Sequence, residues 1–149
     1  MPVPAAVERV REHAGPDATI AHAPGSVELL GETCAATGGM LLATALPESV
    51  AVALEPNDTG ELIVASTRIG DETPLPMPDA IPAGYPAEVT AGAAAVVALQ
   101  HTMHLIPRTG AGVTVRWAST IPVGRGLGEL AALQSAVALA ANARWGDRD

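Results

Sequence analysis

The sequence contains no phenylalanine, one tyrosine (Tyr85) and two tryptophans (Trp117 and Trp145) in 149 residues. A core built on aromatic rings is thereby excluded, and aliphatic side chains with many alanines must fill it. Small side chains bury less area each, so at about 25 cal/mol per Å² of apolar surface the expected stability is modest. Basic residues are scarce too: eight Lys and Arg against sixteen Asp and Glu give a formal net charge of −8. With no basic run, nucleic acid and membrane are excluded as expected partners. The single cysteine, Cys34, allows no intramolecular disulfide and leaves too few thiols for a cysteine-based metal site. No stretch reaches about 18 uninterrupted apolar residues, and Met1-Pro2-Val3-Pro4 lacks the basic region and apolar run of a signal peptide. These absences predict a soluble, cytoplasmic protein.

Hydrophobic residues make up 48% of the chain, which excludes wholesale disorder and points to a single domain over residues 1–149. Pro4 to Ala14 reads as a short helix with Val7 and Val10 on one side, ended by Gly15-Pro16-Asp17. Thr19 to His22 reads as a strand, broken at Ala23-Pro24-Gly25 and resumed from Val27 to Leu30. Met40 to Leu46 and Ser49 to Leu54 read as strand, interrupted at Pro47-Glu48. Pro56-Asn57-Asp58-Thr59-Gly60 is a strong turn signal before the strand Leu62 to Ser66, so a hairpin is expected. Five prolines between Gly70 and Pro86 predict an irregular surface segment. Ala87 to Leu105 reads as a helix with Val89, Val96, Val97 and Leu99 on its apolar side, closed by Pro107 and Gly110. Gly112 to Ala118 alternates, with Val113, Val115 and Trp117 on one face and Thr114 and Arg116 on the other. Glu129 to Trp145 reads as a second alanine-rich helix with a stripe of Leu130, Leu133, Val137 and Ala141.

Between that strand and that helix lies Ile121-Pro122-Val123-Gly124-Arg125-Gly126-Leu127-Gly128-Glu129-Leu130-Ala131-Ala132. Glycines at such a turn let backbone amides approach a phosphate, and the helix N-terminus adds positive potential. Many strand–glycine–helix turns bind nothing, so the pattern alone is a moderate signal. The segment resembles the second motif of the GHMP kinases, approximately P-x-G-x-G-L-S-S-S-A-A-L-E, through Pro122, Gly124, Gly126, Leu127, Ala131, Ala132 and Leu133. The resemblance implies a loop that wraps ATP phosphates, with a serine helping to hold Mg²⁺. The three serine positions fall on Gly128, Glu129 and Leu130, none of which has a hydroxyl. A carboxylate at Glu129 favours a helix N-terminus by about 0.3–1 kcal/mol. It is expected to cap the loop and to repel polyphosphate, with Arg125 as a partial offset.

A second segment, Ala23-Pro24-Gly25-Ser26-Val27-Glu28-Leu29-Leu30-Gly31-Glu32-Thr33-Cys34-Ala35-Ala36-Thr37-Gly38-Gly39, is similar to the galactokinase signature A-P-G-R-V-N-L-I-G-E-H-T-D-Y-N-G-G. Ala23, Pro24, Gly25, Val27, Leu29, Gly31, Glu32, Gly38 and Gly39 match without a gap, and Ala45-Leu46-Pro47 follows as in that family. The polar positions depart. The family's Arg, which assists phosphoryl transfer, is Ser26; its Asn is Glu28; its His is Thr33; its sugar-binding Asp and Tyr are Ala35 and Ala36. Glycines, proline and apolar residues remain, whereas most groups that serve chemistry are replaced.

The resemblance spans roughly residues 19 to 145 and implies an α+β fold of the GHMP kinase N-terminal type (like the second domain of ribosomal protein S5), a mostly antiparallel or mixed sheet with helices packed on one face. It implies no catalytic residue. Gly124, Gly126, Leu127 and Gly128 would form a degenerate phosphate loop, and Glu32 is the one surviving sugar-site position. No cofactor or metal is expected, with Mg-ATP if the family's activity is retained. Three functions stay open: a galactokinase-like domain without kinase activity, vestigial or regulatory; half of a split ATP-dependent galactokinase completed by another chain; and a sugar-binding or sensor domain. A homo-oligomer or a missing kinase half is the expected partner, because the family's complete domain is larger. His101 and His104 sit three apart near a helix end, where a helix C-terminus favours His without any metal. Cys34 lies in a loop beside Thr33, and His22, near it in sequence, reads as a strand residue rather than a catalytic base. The aspartates at 17, 58, 71 and 79 read as turn residues, and Arg9 and Arg11 with Glu8 and Glu12 as a solvated face.

Overall fold

The structure, a computed structural model, describes residues 3–31, 37–77, 80–81, 83–102 and 112–146, with 101 and 102 as backbone only. Three helices, α1 (Ala5–Arg11), α2 (Ala87–Thr102) and α3 (Glu129–Trp145), accompany five strands. The strands are β1 (Thr19–Leu30), β2 (Leu42–Asn57), β3 (Glu61–Ser66), β4 (Glu72–Pro76) and β5 (Gly112–Ser119). They form one mixed sheet in the order β1-β2-β5-β3-β4, with β3 parallel to β5 and the other neighbours antiparallel. This is the expected α+β arrangement. Those parts of the second helix and its closure that were read at 103–110 lie outside the described residues.

Alternation along the central strands divides the core in two. Val50, Val52 and Leu54 of β2, with Val113, Val115 and Trp117 of β5, face α2 and α3 and pack on Val89, Ala93, Val96, Leu133 and Val137. The intervening Ala51, Ala53 and Ala118 face the other way and receive Ala6, Val7 and Val10 of α1. The sheet is therefore covered on both faces and not, as expected from the sequence, on one: the long helices lie on one face and the short helix on the other. Alanines on the α1 side let a short helix with its own alanine approach closely, and no aromatic ring is needed there. Across the same face Arg116 reaches Glu55 on β2 (2.7 Å) and Glu72 on β4 (2.6 Å).

Four further sequence expectations are corrected. The strands on either side of the turn at 56–60 do not form a hairpin: β5 lies between them, with Asn57 opposite Gly112 and Leu62 opposite Val113. β5 is buried on both faces apart from Arg116: Val113, Val115 and Trp117 lie under the long helices, and on the other face Arg116 is paired with Glu55 and Glu72 of the strands beyond, which suits a central position. The turn straddles its end. Asn57 donates to the Glu61 carbonyl (3.2 Å) and to Thr114 Oγ1 (3.1 Å), and a Cβ at Gly112 would run into both Asn57 and Glu61. Within the proline-rich segment β4 forms as an edge strand, where Pro74 and Pro76 need no outward hydrogen bond. β1 and β2 both run through their predicted breaks. Between the pairs Pro24–Ser49 and Ser26–Ala45, the single residue Gly25 of β1 stands against Leu46, Pro47 and Glu48 of β2, so Pro47 is absorbed as a bulge. On α3 the buried stripe is Ala132, Leu133, Ala136, Val137, Ala140 and Ala141, whereas Leu130, in the first turn ahead of it, is 51% exposed.

Candidate functional site at the junction of the two glycine motifs

The part of β1 opposite that bulge and the loop before α3 are about a hundred residues apart in sequence and touch in the fold. The Ser26 backbone N–H donates to the Leu127 carbonyl at 3.1 Å. A Cβ at position 25 would stand 2.9 Å from that same oxygen, which is why Gly25 lets the loop lie along the free edge of β1. Gly124, Gly126 and Gly128 all take left-handed backbone conformations (φ 67°, 69° and 72°), so the loop folds back on itself at every second residue. Gly128 is then the N-cap of α3, and a Cβ there would meet Ser26 Oγ at 2.8 Å. A serine at 128, as in the family motif, would suffer both the left-handed backbone and this contact.

Below the junction opens a groove of about 370 Å³ lined by Ser26, Glu28, Gly126, Gly128 and Ala131. No side chain caps the N-terminus of α3. A backbone turn of this kind suits an anion in principle. The side chains that line the groove bring one hydroxyl, one carboxylate and no cation. Of the loop residues singled out in the sequence, Gly126 and Gly128 line the groove. Gly124 does not, and Leu127 packs partly buried against the main core while its carbonyl holds Ser26. Glu32, together with Thr33, Cys34, Ala35 and Ala36, lies outside the described residues.

Glu129 does something other than expected. It does not cap α3: its Oε1 accepts a 2.5 Å hydrogen bond from Arg68, beyond the end of β3. Arg68 also donates to the Ile121 carbonyl (3.2 Å), and its guanidinium sits 5.7 Å from the centre of the Trp117 ring. Arg68 thus ties the start of α3 to β3 and β5, and it, not Arg125, offsets the Glu129 charge. Nothing near Arg68 in the sequence pointed to this; the stacking surface is supplied by Trp117, a residue of the alternating strand. His22 lies in β1, opposite Ala51, as a strand residue. Among the described residues no group of three or more His, Cys, Asp or Glu side chains gathers as a metal site. No helix among them is long and apolar enough to cross a membrane.

Known proteins share this frame. The Lactococcus lactis galactokinase, solved in complex with galactose, superposes with a TM-score of 0.73 over 96% of this chain and 37% of its own, at 17% identity. The Methanococcus jannaschii mevalonate kinase gives 0.70 over 90% of this chain and 42% of its own, at 18% identity. The fold is that of the GHMP kinases. Within that class the sequence singles out one branch. A family model for the galactokinase galactose-binding signature matches residues 8–56. The galactokinase of Mycobacterium tuberculosis (strain ATCC 25618 / H37Rv) is 32% identical over 126 residues, 85% of this chain and 33% of that protein. The galactokinase of Streptomyces coelicolor is 34% identical over 138 residues, 91% of this chain and 34% of that protein. By sequence the chain is similar to the N-terminal part of the galactokinases, and it spans about a third of the length of these relatives.

Proposed function

We propose that this chain is a galactokinase-type domain that keeps the frame of a sugar-kinase site and does not phosphorylate sugar by itself. One observation carries the reading. Where the two glycine motifs meet, the groove is lined by Ser26, Glu28, Gly126, Gly128 and Ala131, with a carboxylate and no cation. Phosphoryl transfer relies on positioning and on charge stabilisation by cations, and a lone carboxylate works against both charge and approach. Its role is then vestigial or regulatory, in the cytoplasm. The purified chain is expected to give no galactose 1-phosphate from galactose and Mg-ATP. Product formed in proportion to this protein, after removal of contaminating kinase, would end the reading.

A second reading, that the chain supplies one part of a kinase completed by further polypeptide, is favoured by the far end of the β1–β2 pair. There Leu29, Leu30, Met40, Leu41 and Leu42 are all exposed. Contiguous exposed apolar residues of this kind mark a surface that another protein segment covers. Addition of a polypeptide corresponding to the remaining two-thirds of a galactokinase tests it. Co-sedimentation with restored activity is expected on this reading, whereas self-association of the chain alone, or a stable monomer indifferent to that segment, counts against it.

A further inference from the structure

A cavity of about 220 Å³ opens on the α1 side of the sheet, away from both glycine motifs. Val10 and Ala65 give it an apolar floor, and His13, Thr67, Glu72 and Arg116 stand around it. The arginine is already taken. Its Nε and Nη2 donate to Glu72 Oε1 (3.1 and 2.6 Å), and its Nη1 donates to Glu55 Oε1 (2.7 Å). The groups left over can accept. His13 Nδ1 meets the Arg9 carbonyl at 3.1 Å, and a carbonyl only accepts, so the neutral ring carries its proton on Nδ1 and keeps Nε2 as a bare acceptor. Glu72 Oε2 and the Thr67 hydroxyl have no hydrogen-bond partner among the described residues.

We propose that this cavity binds a small molecule carrying a primary ammonium on a short apolar stem. A pocket with an apolar floor and a few polar groups selects its ligand by the character of those groups. Here acceptors outnumber free donors, so the ligand must bring the hydrogens, and an ammonium brings three. The unpaired oxygen of Glu72 adds a charge-assisted bond. A carboxylate or phosphate would find Arg116 occupied and would be repelled by Glu72. The net charge of −8 on the chain draws cations in the same sense. A dry cavity of about 150 Å³ holds a benzene ring, so the space here takes a stem of about five carbons. No residue of the cavity belongs to the glycine motifs, and the inference stands apart from whether the chain phosphorylates sugar.

The test is calorimetric titration of n-pentylammonium, 1-pentanol and pentanoate into the intact chain and into Glu72→Gln, Ala65→Leu and Asp58→Asn. The ammonium is expected to bind about tenfold more tightly than the alcohol, and pentanoate most weakly, as one charge-assisted hydrogen bond predicts. Glu72→Gln is expected to weaken the ammonium by about that factor and to leave the alcohol unchanged. The Glu72 side chain is 51% exposed, so the fold is expected to tolerate the change. Ala65→Leu fills the floor and is expected to remove binding of both the ammonium and the alcohol. Asp58→Asn takes away the same charge in the turn before β3 and is expected to change nothing. An intact chain that does not bind the ammonium, or binds the alcohol or pentanoate as tightly, overturns the proposal. So does Glu72→Gln without effect, or an equal loss in Asp58→Asn, which would trace the attraction to net charge. Should Glu72→Gln fail to fold, Ala65→Leu decides: full ammonium binding by that variant places the ligand elsewhere and overturns the proposal.

Discussion

The β1–β2 pair is one ladder with two unlike ends. From Thr19 to Pro24, opposite Ser49 to Leu54, it is enclosed: Val50, Val52 and Leu54 lie under α2 and α3, and Ala51 and Ala53 under α1. From Ser26 to Leu30, opposite Leu42 to Ala45, the same backbone pairing continues, yet Leu30 is 69% and Leu42 53% exposed. Strand pairing is shared by both ends, so pairing does not account for their difference. Helices on both faces make one end a core, and their absence makes the other a surface. The bulge at Pro47 and the contact between Ser26 and Leu127 lie where the one gives way to the other, and the groove opens there. Packing holds the covered end, and local charge and shape decide what the open end accepts.

Substitutions placed along this ladder sharpen the contrast, and the largest effect belongs to its buried end. Leu54→Ala, at a side chain with no exposed surface, is expected to cost about 2–5 kcal/mol, read as a lower midpoint in denaturant with little change in slope. A loss below 1 kcal/mol would mean that this end is not the core. Next comes the junction. Gly128→Ser forces a side chain into a left-handed backbone beside Ser26, and a cost of about 1–2 kcal/mol is expected in thermal unfolding. A stabilised or unchanged variant would show that the loop re-forms freely. Glu129→Ala removes the partner of Arg68. Both side chains remain partly exposed, at 22% and 25%, so solvent screening limits the loss to about 0.5–1 kcal/mol. High salt should shrink that difference, and salt-independence would speak against an ion pair. Smallest is Leu30→Ser at the open end, expected within about 0.5 kcal/mol of the unaltered chain. A larger loss, together with a melting temperature that rises with protein concentration, would reveal that a second copy already covers this surface.

The candidate site was only partly legible beforehand. Both glycine motifs could be read, because a turn that needs φ above zero or a close backbone approach leaves a visible residue. Their meeting through Ser26 and Leu127 was not legible, since neither residue advertises a partner about a hundred positions away. Glu129 shows how local reasoning overreaches. A carboxylate in the first turn of a helix does suit the helix end, but Arg68 offers a full charge, already braced by the Ile121 carbonyl and the Trp117 ring. The stronger, preorganised partner takes the carboxylate.

Periodicity alone determined which faces are apolar. Val113, Val115 and Trp117 on one side of β5, and Val89 and Val96 on α2, are buried where their spacing put them. It could not determine who sits beside whom. The turn at 56–60 reads as a hairpin, and only assembly of the sheet places β5 between its two arms. Spacing along a chain records the local geometry of each element. The order of strands depends on which arrangement buries the most apolar surface at once, and that sum exists only when all the elements are present together.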